Sequence, residues 1–235
     1  MFSFLTGQTD SHEQEHSGAQ IVETVVDRLA SSHIIDDRRD AVRTLKGLSK
    51  RFRFEIGDKA ITSLIVTLKN DISDHEIASS CLDCLYNIIS TEPPSLSDAG
   101  LSESPPLSPD NLDRFSDLMI LQCPQVSPAE SALQIALECL DEFEFSVLLN
   151  SIKFVTQLLR LKITQVQQVI LEKPMAISRL IDTMRDQREI IRNEAILALS
   201  ELTREAPAIQ KIVVFENTFE TVLDIMDLVF CEINF

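Results

Sequence analysis

Two short patterns in the sequence contain residue types that could do chemistry. Residues 12–16 read His-Glu-Gln-Glu-His, the H-E-x-x-H spacing in which two histidines one helical turn apart bind zinc beside a general-base glutamate. That chemistry requires a buried helix and a third ligand, whereas this pattern lies in a polar stretch before Gly18. Cys81 and Cys84 form a C-x-x-C inside an apolar run with helical spacing, without a second cysteine pair. We therefore interpret the first pattern as chance and the second as buried packing.

The rest of the sequence offers no catalytic, cofactor-binding or metal-binding set. It contains no glycine-rich phosphate loop and no serine or cysteine in a recognisable nucleophile motif. Paired acids such as Asp141 and Glu142 would point to different faces of a helix, because adjacent helical residues do not face each other. The sequence therefore predicts a protein that is not an enzyme and that needs neither a cofactor nor a metal.

Composition and charge narrow the fold class and the class of partner. Of 235 residues, 44% are hydrophobic and 25% are charged, which is typical of a folded protein. Five glycines, one tyrosine and no tryptophan favour helices over a turn-rich β fold. The net charge of -16 disfavours nucleic acid and anionic lipid as direct ligands, because both are bound through clustered Lys and Arg.

The N-terminal residues and the hydropathy pattern bear on location. No stretch approaches the roughly 20 apolar residues that span a bilayer, and residues 1–7 lack the charged start and apolar core of a signal peptide. Five cysteines, an odd number, predict reduced thiols instead of a disulfide framework. We expect a cytosolic protein that meets membranes only peripherally, through a partner.

Apolar residues recur at helical spacing from residue 19 onward, and this spacing divides the chain. We predict a flexible tail over residues 1–18 and a head of helical repeats over residues 19–235. Residues 91–128 hold seven of the nine prolines, so we predict a proline- and serine-rich insertion there, with at most one short helix near residues 112–121. Ser73 with Glu76, and Ser127 with Glu130, have the spacing of helix-capping boxes.

Helical segments repeat along the chain. Residues 60–68 match residues 176–184, and related positions on four longer helices lie 40, 70 and 44 residues apart. The interval of 70 residues falls to about 44 when an insertion of about 26 residues is removed, which gives the armadillo or HEAT period. The sequence thus predicts an all-α, armadillo/HEAT-like right-handed superhelical repeat array with a concave binding face.

Two features of the array bear on its binding. In importin-like arrays, asparagines along the groove grip an extended basic peptide, but the equivalent positions here are Gly47, Asn87, Gln157 and Glu201, so we do not predict that mode. Residues 219–235 are apolar where an array normally carries a polar cap. We expect either a fragment or short isoform of a longer array, or a tail that folds back as its own cap.

Several longer motifs, in the same order, resemble one known family. These motifs are residues 36–50, 85–90, 165–171, 174–180, 188–193 and 208–217. On these motifs the sequence resembles, over residues 20–226, the general vesicular transport factors, which tether vesicles between the endoplasmic reticulum and the Golgi apparatus.

The resemblance implies the armadillo head of an elongated homodimeric tether in ER-to-Golgi and intra-Golgi transport. It implies recruitment by a Rab-class small GTPase, contacts with golgins and membrane-fusion proteins through tail regions outside this chain, and a peripheral position on Golgi and ER-to-Golgi membranes. Arg192 and Asn193, beside the best-matched repeat, are our candidate protein-binding residues. The apolar C-terminal segment supports an alternative, a homodimerising scaffold or short isoform that competes with the full-length tether.

Overall fold

The computed structural model describes residues 10–91, 107–126, 130–216 and 218–233, and within these ranges the chain is built from α-helices. The one pairing of extended residues there is an isolated bridge between Cys123 and Glu130. The helices are α1 Asp10–Ser31, α2 Ile35–Ser49, α3 Arg53–Lys59, α4 Ile61–Asn70, α5 His75–Ile89, α6 Pro109–Ile120, α7 Ala132–Glu138, α8 Phe145–Glu172, α9 Met175–Thr183, α10 Glu189–Leu202, α11 Pro207–Phe215 and α12 Thr218–Ile233.

These helices form stacked three-helix repeats. One repeat is α3, α4 and α5, and the next is α6, α7 and the first half of α8. Helix α8 bends at Lys162, whose backbone is not helical (φ -137°, ψ 50°), and its second half begins the repeat completed by α9 and α10. The third helices α5, α8 and α10 lie side by side, with α2 on the other side of α5. The predicted all-α, armadillo-like array is confirmed.

The sequence repeat corresponds to this architecture. Residues 60–68 fall on α4 and residues 176–184 on α9, and each is the middle helix of its repeat. The related positions on the third helices of the repeats all point into one continuous apolar core, where they are buried: Leu45, Leu85, Val155 and Leu199. The period of about 44 residues therefore reflects the distance along the chain from one of these helices to the next.

The predicted insertion at residues 91–128 contains the helix α6, which belongs to the core. Phe115 of α6 is fully buried, and its ring lies against Gly57 of α3. Residues 92–106 and 127–129 lie outside the described residues. At the N-terminus α1 already begins at Asp10, within the predicted tail of residues 1–18, and Gly18 is buried against Phe52. The division into tail, head and insertion stays a prediction.

The helix caps differ in part from the predicted ones. Helix α5 is capped by Asp74, not by Ser73: Asp74 Oδ1 accepts hydrogen bonds from the backbone N–H groups of Glu76 at 3.1 Å and Ile77 at 3.0 Å. Asp74 also accepts a hydrogen bond from Arg39 of α2 at 2.5 Å. One carboxylate therefore closes α5 and ties it to the preceding repeat, a contact that the spacing alone could not indicate.

The close packing of α6 on α3 predicts the effect of one methyl group. We expect Gly57→Ala to lower the free energy of unfolding by about 1–3 kcal/mol, as overpacking does, because the new Cβ would lie 2.4 Å from the buried Phe115 ring. Gly47→Ala is the matched control, because its Cβ would meet nothing within 4 Å, and alanine is the better helix former by about 0.5–1 kcal/mol. Thermal unfolding followed by circular dichroism compares them, and equal stability of the two variants would contradict this packing.

Asp74 should make the stability depend on pH. Burial acts to raise the pKa of Asp74, but hydrogen bonds from the Ile77 N–H and from Arg39 outweigh it, so the pKa lies below its usual value. A lowered carboxyl pKa adds stability above the unfolded value of about 3.9 and loses it as the pH falls through the folded pKa.

We therefore compare Asp74→Asn, which keeps a capping oxygen but has no charge, with the unsubstituted chain in urea at a series of pH values. The variant should be less stable at neutral pH, by a difference that stays constant down to about pH 4 and shrinks below it. A difference that persists unchanged at the lowest pH would show that the Asp74 charge is not what stabilises this junction. Asp74→Ala, which also loses the cap, should lower the free energy of unfolding by a further ~1 kcal/mol.

A candidate protein-binding groove on the third helices

Charged side chains of α2 bind the repeat that follows it. Arg38 of α2 donates two hydrogen bonds to Asp71, which follows α4, at 2.7 and 2.6 Å, and these raise the pKa of the guanidinium. Lys46 of α2 lies 2.8 Å from Asp83 of α5. The partly exposed Lys46–Asp83 pair contributes about 0–1 kcal/mol, whereas the Arg38–Asp71 pair is bidentate and largely buried.

The amides at the equivalents of the importin asparagines are used inside the chain. Asn87 Nδ2 donates to Ser49 Oγ at 3.0 Å, across the junction between α5 and α2. Gln157 Nε2 donates to the carbonyl of Ile89 at 3.0 Å and to Thr91 Oγ1 at 3.2 Å, just beyond the end of α5. Because these donors already bind the preceding repeat, they are not available to grip a peptide backbone, in agreement with the sequence prediction.

A cleft of about 80 Å³ opens between α5, α8 and α10. Four of its lining residues follow one another on α8 at the spacing i, i+3, i+4, i+7, which places them on one face of that helix. The lining consists of Tyr86 from α5, Lys153, Thr156, Gln157 and Arg160 from α8, and Glu194 and Leu197 from α10. The cleft is smaller than the roughly 300–1,000 Å³ of small-molecule sites, so it fits a side chain better than a cofactor.

Three groups in this cleft lack a partner within the described residues, and the Glu194 carboxylate is one of them. The ammonium of the half-buried Lys153 makes no ion pair or hydrogen bond with any of them. Gln157 is 1% exposed, and its Oε1 accepts no hydrogen bond. By contrast, the neighbouring Arg160 lies 3.8 Å from Glu201, which also pairs with Arg204 at 2.9 Å.

The candidate residues Arg192 and Asn193 lie on α10, beside the cleft in sequence. Arg192 Nη1 donates to the carbonyls of Asp186 at 3.1 Å and Gln187 at 2.9 Å, so it holds the loop before α10. Asn193 is exposed and immediately precedes Glu194 of the cleft lining. Their part in protein binding stays a prediction.

Sequence reasoning did not select Lys153 or Glu194. The signal that could have found Lys153 is the polar stripe at helical spacing in the mainly apolar first half of α8, formed by Lys153, Thr156, Gln157 and Arg160. The stripe alone does not tell whether its charged members are paired, which depends on α5 and α10.

The two patterns with possible chemistry have different outcomes. Cys81 and Cys84 are both fully buried in α5, and burial raises the pKa of Cys84 to about 12, so the reactive thiolate is disfavoured. The side chains of residues 12–16 lie outside the described residues. Among those described, no group of three His, Cys, Asp or Glu residues is arranged to hold a metal.

Across the same described part of the chain, every helix is too short or too polar to cross a bilayer.

Comparison with known proteins identifies relatives of the chain. No protein-family model matches the chain. General vesicular transport factor p115 of Homo sapiens is 44% identical over 213 residues, which cover 90% of this chain and 21% of p115. The chain is homologous to the general vesicular transport factors. The resemblance in the sequence motifs is thus confirmed, and the chain spans about one fifth of the length of this relative.

Solved structures show the same fold. A crystal structure of Uso1-2 superposes with a TM-score of 0.76 at 21% identity. The match covers 96% of the present chain and 34% of the Uso1-2 chain. A designed armadillo repeat protein for modular peptide recognition superposes with a TM-score of 0.61 at 13% identity, over 93% of this chain and 86% of the other. At these identities the likeness concerns the armadillo fold alone.

The hydrogen bonds of Gln157 predict a structural role for that amide. We expect Gln157→Ala to lower the free energy of unfolding by about 1–3 kcal/mol, because the end of α5 loses a buried donor and the side chain leaves a space. Asn193→Ala, on the exposed face of α10, is the control and should change stability by less than about 0.5 kcal/mol. Urea unfolding measures both, and a stability unaffected by Gln157→Ala would rule out this role.

Proposed function

We propose that this chain is the head of a vesicle-tethering factor in ER-to-Golgi and intra-Golgi transport, and that it acts by binding proteins, without catalysis. The observation that supports this most directly is the 44% identity to a general vesicular transport factor over 90% of the chain. The armadillo array is consistent with it, because stacked repeats present an extended concave surface suited to protein ligands. Its tail, head and insertion would be residues 1–18, 19–235 and 91–128.

The proposed recruiting partner is a Rab-class small GTPase. Golgins and membrane-fusion proteins would bind mainly through regions outside this chain, and the protein would lie in the cytoplasm, peripheral on Golgi and ER-to-Golgi membranes. The net charge of -16 supports attachment through a protein, since clustered basic residues draw proteins to anionic lipid or nucleic acid.

Nucleotide-dependent capture tests this proposal. The purified chain should bind at least one Golgi Rab protein several-fold better when it is loaded with a GTP analogue than with GDP, because an effector distinguishes the two states of the switch regions. Pull-down or biolayer interferometry measures the difference. Equal binding to both forms across the panel would argue against recruitment through this head.

The candidate residues require variants that separate contact from folding. Asn193→Ala should weaken capture without changing the unfolding temperature, since its side chain is exposed. Arg192→Ala should also lower that temperature, because Arg192 holds two loop carbonyls. Unchanged capture by a double variant that still folds would remove both residues from the binding surface.

The second candidate function is a homodimerising scaffold or short isoform that competes with the full-length tether. The observation that favours it is the apolar surface of α11 and α12, where Phe215 is 85%, Phe219 66% and Leu223 59% exposed. Exposed apolar side chains grouped in this way are typical of interaction sites. Sedimentation equilibrium distinguishes the possibilities. A dimer that Phe219→Glu with Leu223→Glu converts to a monomer would support the scaffold, and a strict monomer that also fails to associate with the full-length tether would exclude this candidate.

A further inference from the structure

The cleft between α5, α8 and α10 combines features that point to a specific kind of partner. We propose that it binds an acidic side chain of an extended partner segment, with the Lys153 ammonium as the ion-pair partner of that carboxylate. The inference rests on the proposed function as a protein-binding head, and it names one surface of that head and the chemistry of its ligand.

The first argument is the unpaired charge of Lys153. Most other lysines of the described helices have anionic partners: Lys46 lies 2.8 Å from Asp83, and Lys69 lies 2.6 Å from Glu130. Lys153 and Lys211 have none among the described residues, and of these two only Lys153 is half-buried and lines a cleft. A carboxylate supplied from outside would give the Lys153 ammonium the ion-pair partner that it lacks.

The second argument is the orphan acceptor of Gln157. Its Nε2 donates to the carbonyl of Ile89 at 3.0 Å, so the amide is fixed and Oε1 cannot exchange places with it without losing that bond. Oε1 is buried and accepts no hydrogen bond within the described residues. A buried acceptor without a donor destabilises the free protein, and because Oε1 has almost no accessible surface, a bound segment reaches it only by displacing the side chains around it. The orphan acceptor therefore marks the cleft as incompletely satisfied, and the Lys153 ammonium is the group that meets the ligand.

The third argument is size and surroundings. The cleft of about 80 Å³ accepts a side chain, whereas a helix or a nucleotide requires far more space. Leu197, 46% exposed on α10, offers apolar contact to the stem of that side chain. Glu194 is the opposing charge in the lining, so it should weaken binding of an acidic segment.

A labelled peptide of alternating Gly and Glu, with Gly-Gln and Gly-Lys peptides as references, tests the proposal by fluorescence anisotropy on the full chain. The Glu peptide should bind best, and its affinity should fall as salt is added, because the ion pair is screened. Lys153→Ala should weaken it roughly fivefold and Lys153→Glu about tenfold or more. Glu194→Gln should strengthen it by about two- to threefold, since a repulsive charge is removed.

Lys211→Glu is the matched control, because Lys211 is exposed on α11, away from the cleft, and the substitution changes the net charge by the same amount. It should leave the affinity within about twofold, as expected for a distant screened charge. Equal losses in Lys153→Glu and Lys211→Glu, or equal binding of the Glu and Gln peptides, would overturn the proposal. Release by inorganic phosphate beyond that by chloride at the same ionic strength would show a simple anion pocket and would also overturn it.

The same variants separate this inference from the proposed function. If GTP-dependent capture of a Rab protein persists while no variant alters peptide binding, the acidic-segment site is wrong and the tethering head stands. If the Glu peptide binds as expected while capture is absent in every nucleotide state, the site stands and recruitment by the GTPase through this head is wrong. Circular dichroism of each variant confirms that the repeats remain folded.

Discussion

The structure depends on one constraint: a pair or triplet of amphipathic helices cannot bury its apolar face alone. Each repeat therefore packs its third helix against the third helix of the next, and the apolar core is continuous along the array. Helix α8 is central to this arrangement because it lies against both α5 and α10 and bends at Lys162 to begin the following repeat. The polar residues of the third helices are positioned by this packing.

Stacking also brings backbone carbonyls that need a hydrogen-bond donor to each junction, since the last carbonyls of a helix have no partner inside it. The donors come from the neighbouring repeat or from the first helix of the same repeat. Gln157 donates to the carbonyl of Ile89 near the end of α5, and Gln167 donates to the carbonyl of Leu202 at the end of α10, both at 3.0 Å. Amides that grip a ligand in other armadillo arrays stabilise the array here, and recognition must rely on other residues.

In the segment rich in proline and serine, the local composition favours a loop, whereas tertiary contacts favour a packed helix. Phe115 is buried on α3, and Lys162 at the bend of α8 lies 2.5 Å from Asp113 and 2.8 Å from Asp117. These contacts anchor α6 at the first helical position of its repeat. The insertion therefore interrupts the sequence period while the three-helix pattern continues through it.

The sequence by itself determined the helical class, the period of the repeat, the resemblance to the general vesicular transport factors and the loss of the importin-like asparagines, because each of these follows from local spacing or from ordered motifs. It indicated a helix near residues 112–121 but not its burial. It chose Ser73 as a cap where Asp74 serves, and it did not select Lys153. What tertiary structure alone decided is which polar groups find partners: Asp74 accepts a hydrogen bond from Arg39, Gln157 donates one to Ile89, and Lys153 has no anion beside it among the residues that the structure describes. These outcomes depend on residues tens of positions apart brought together by stacking, and helical periodicity carries no information about such distances.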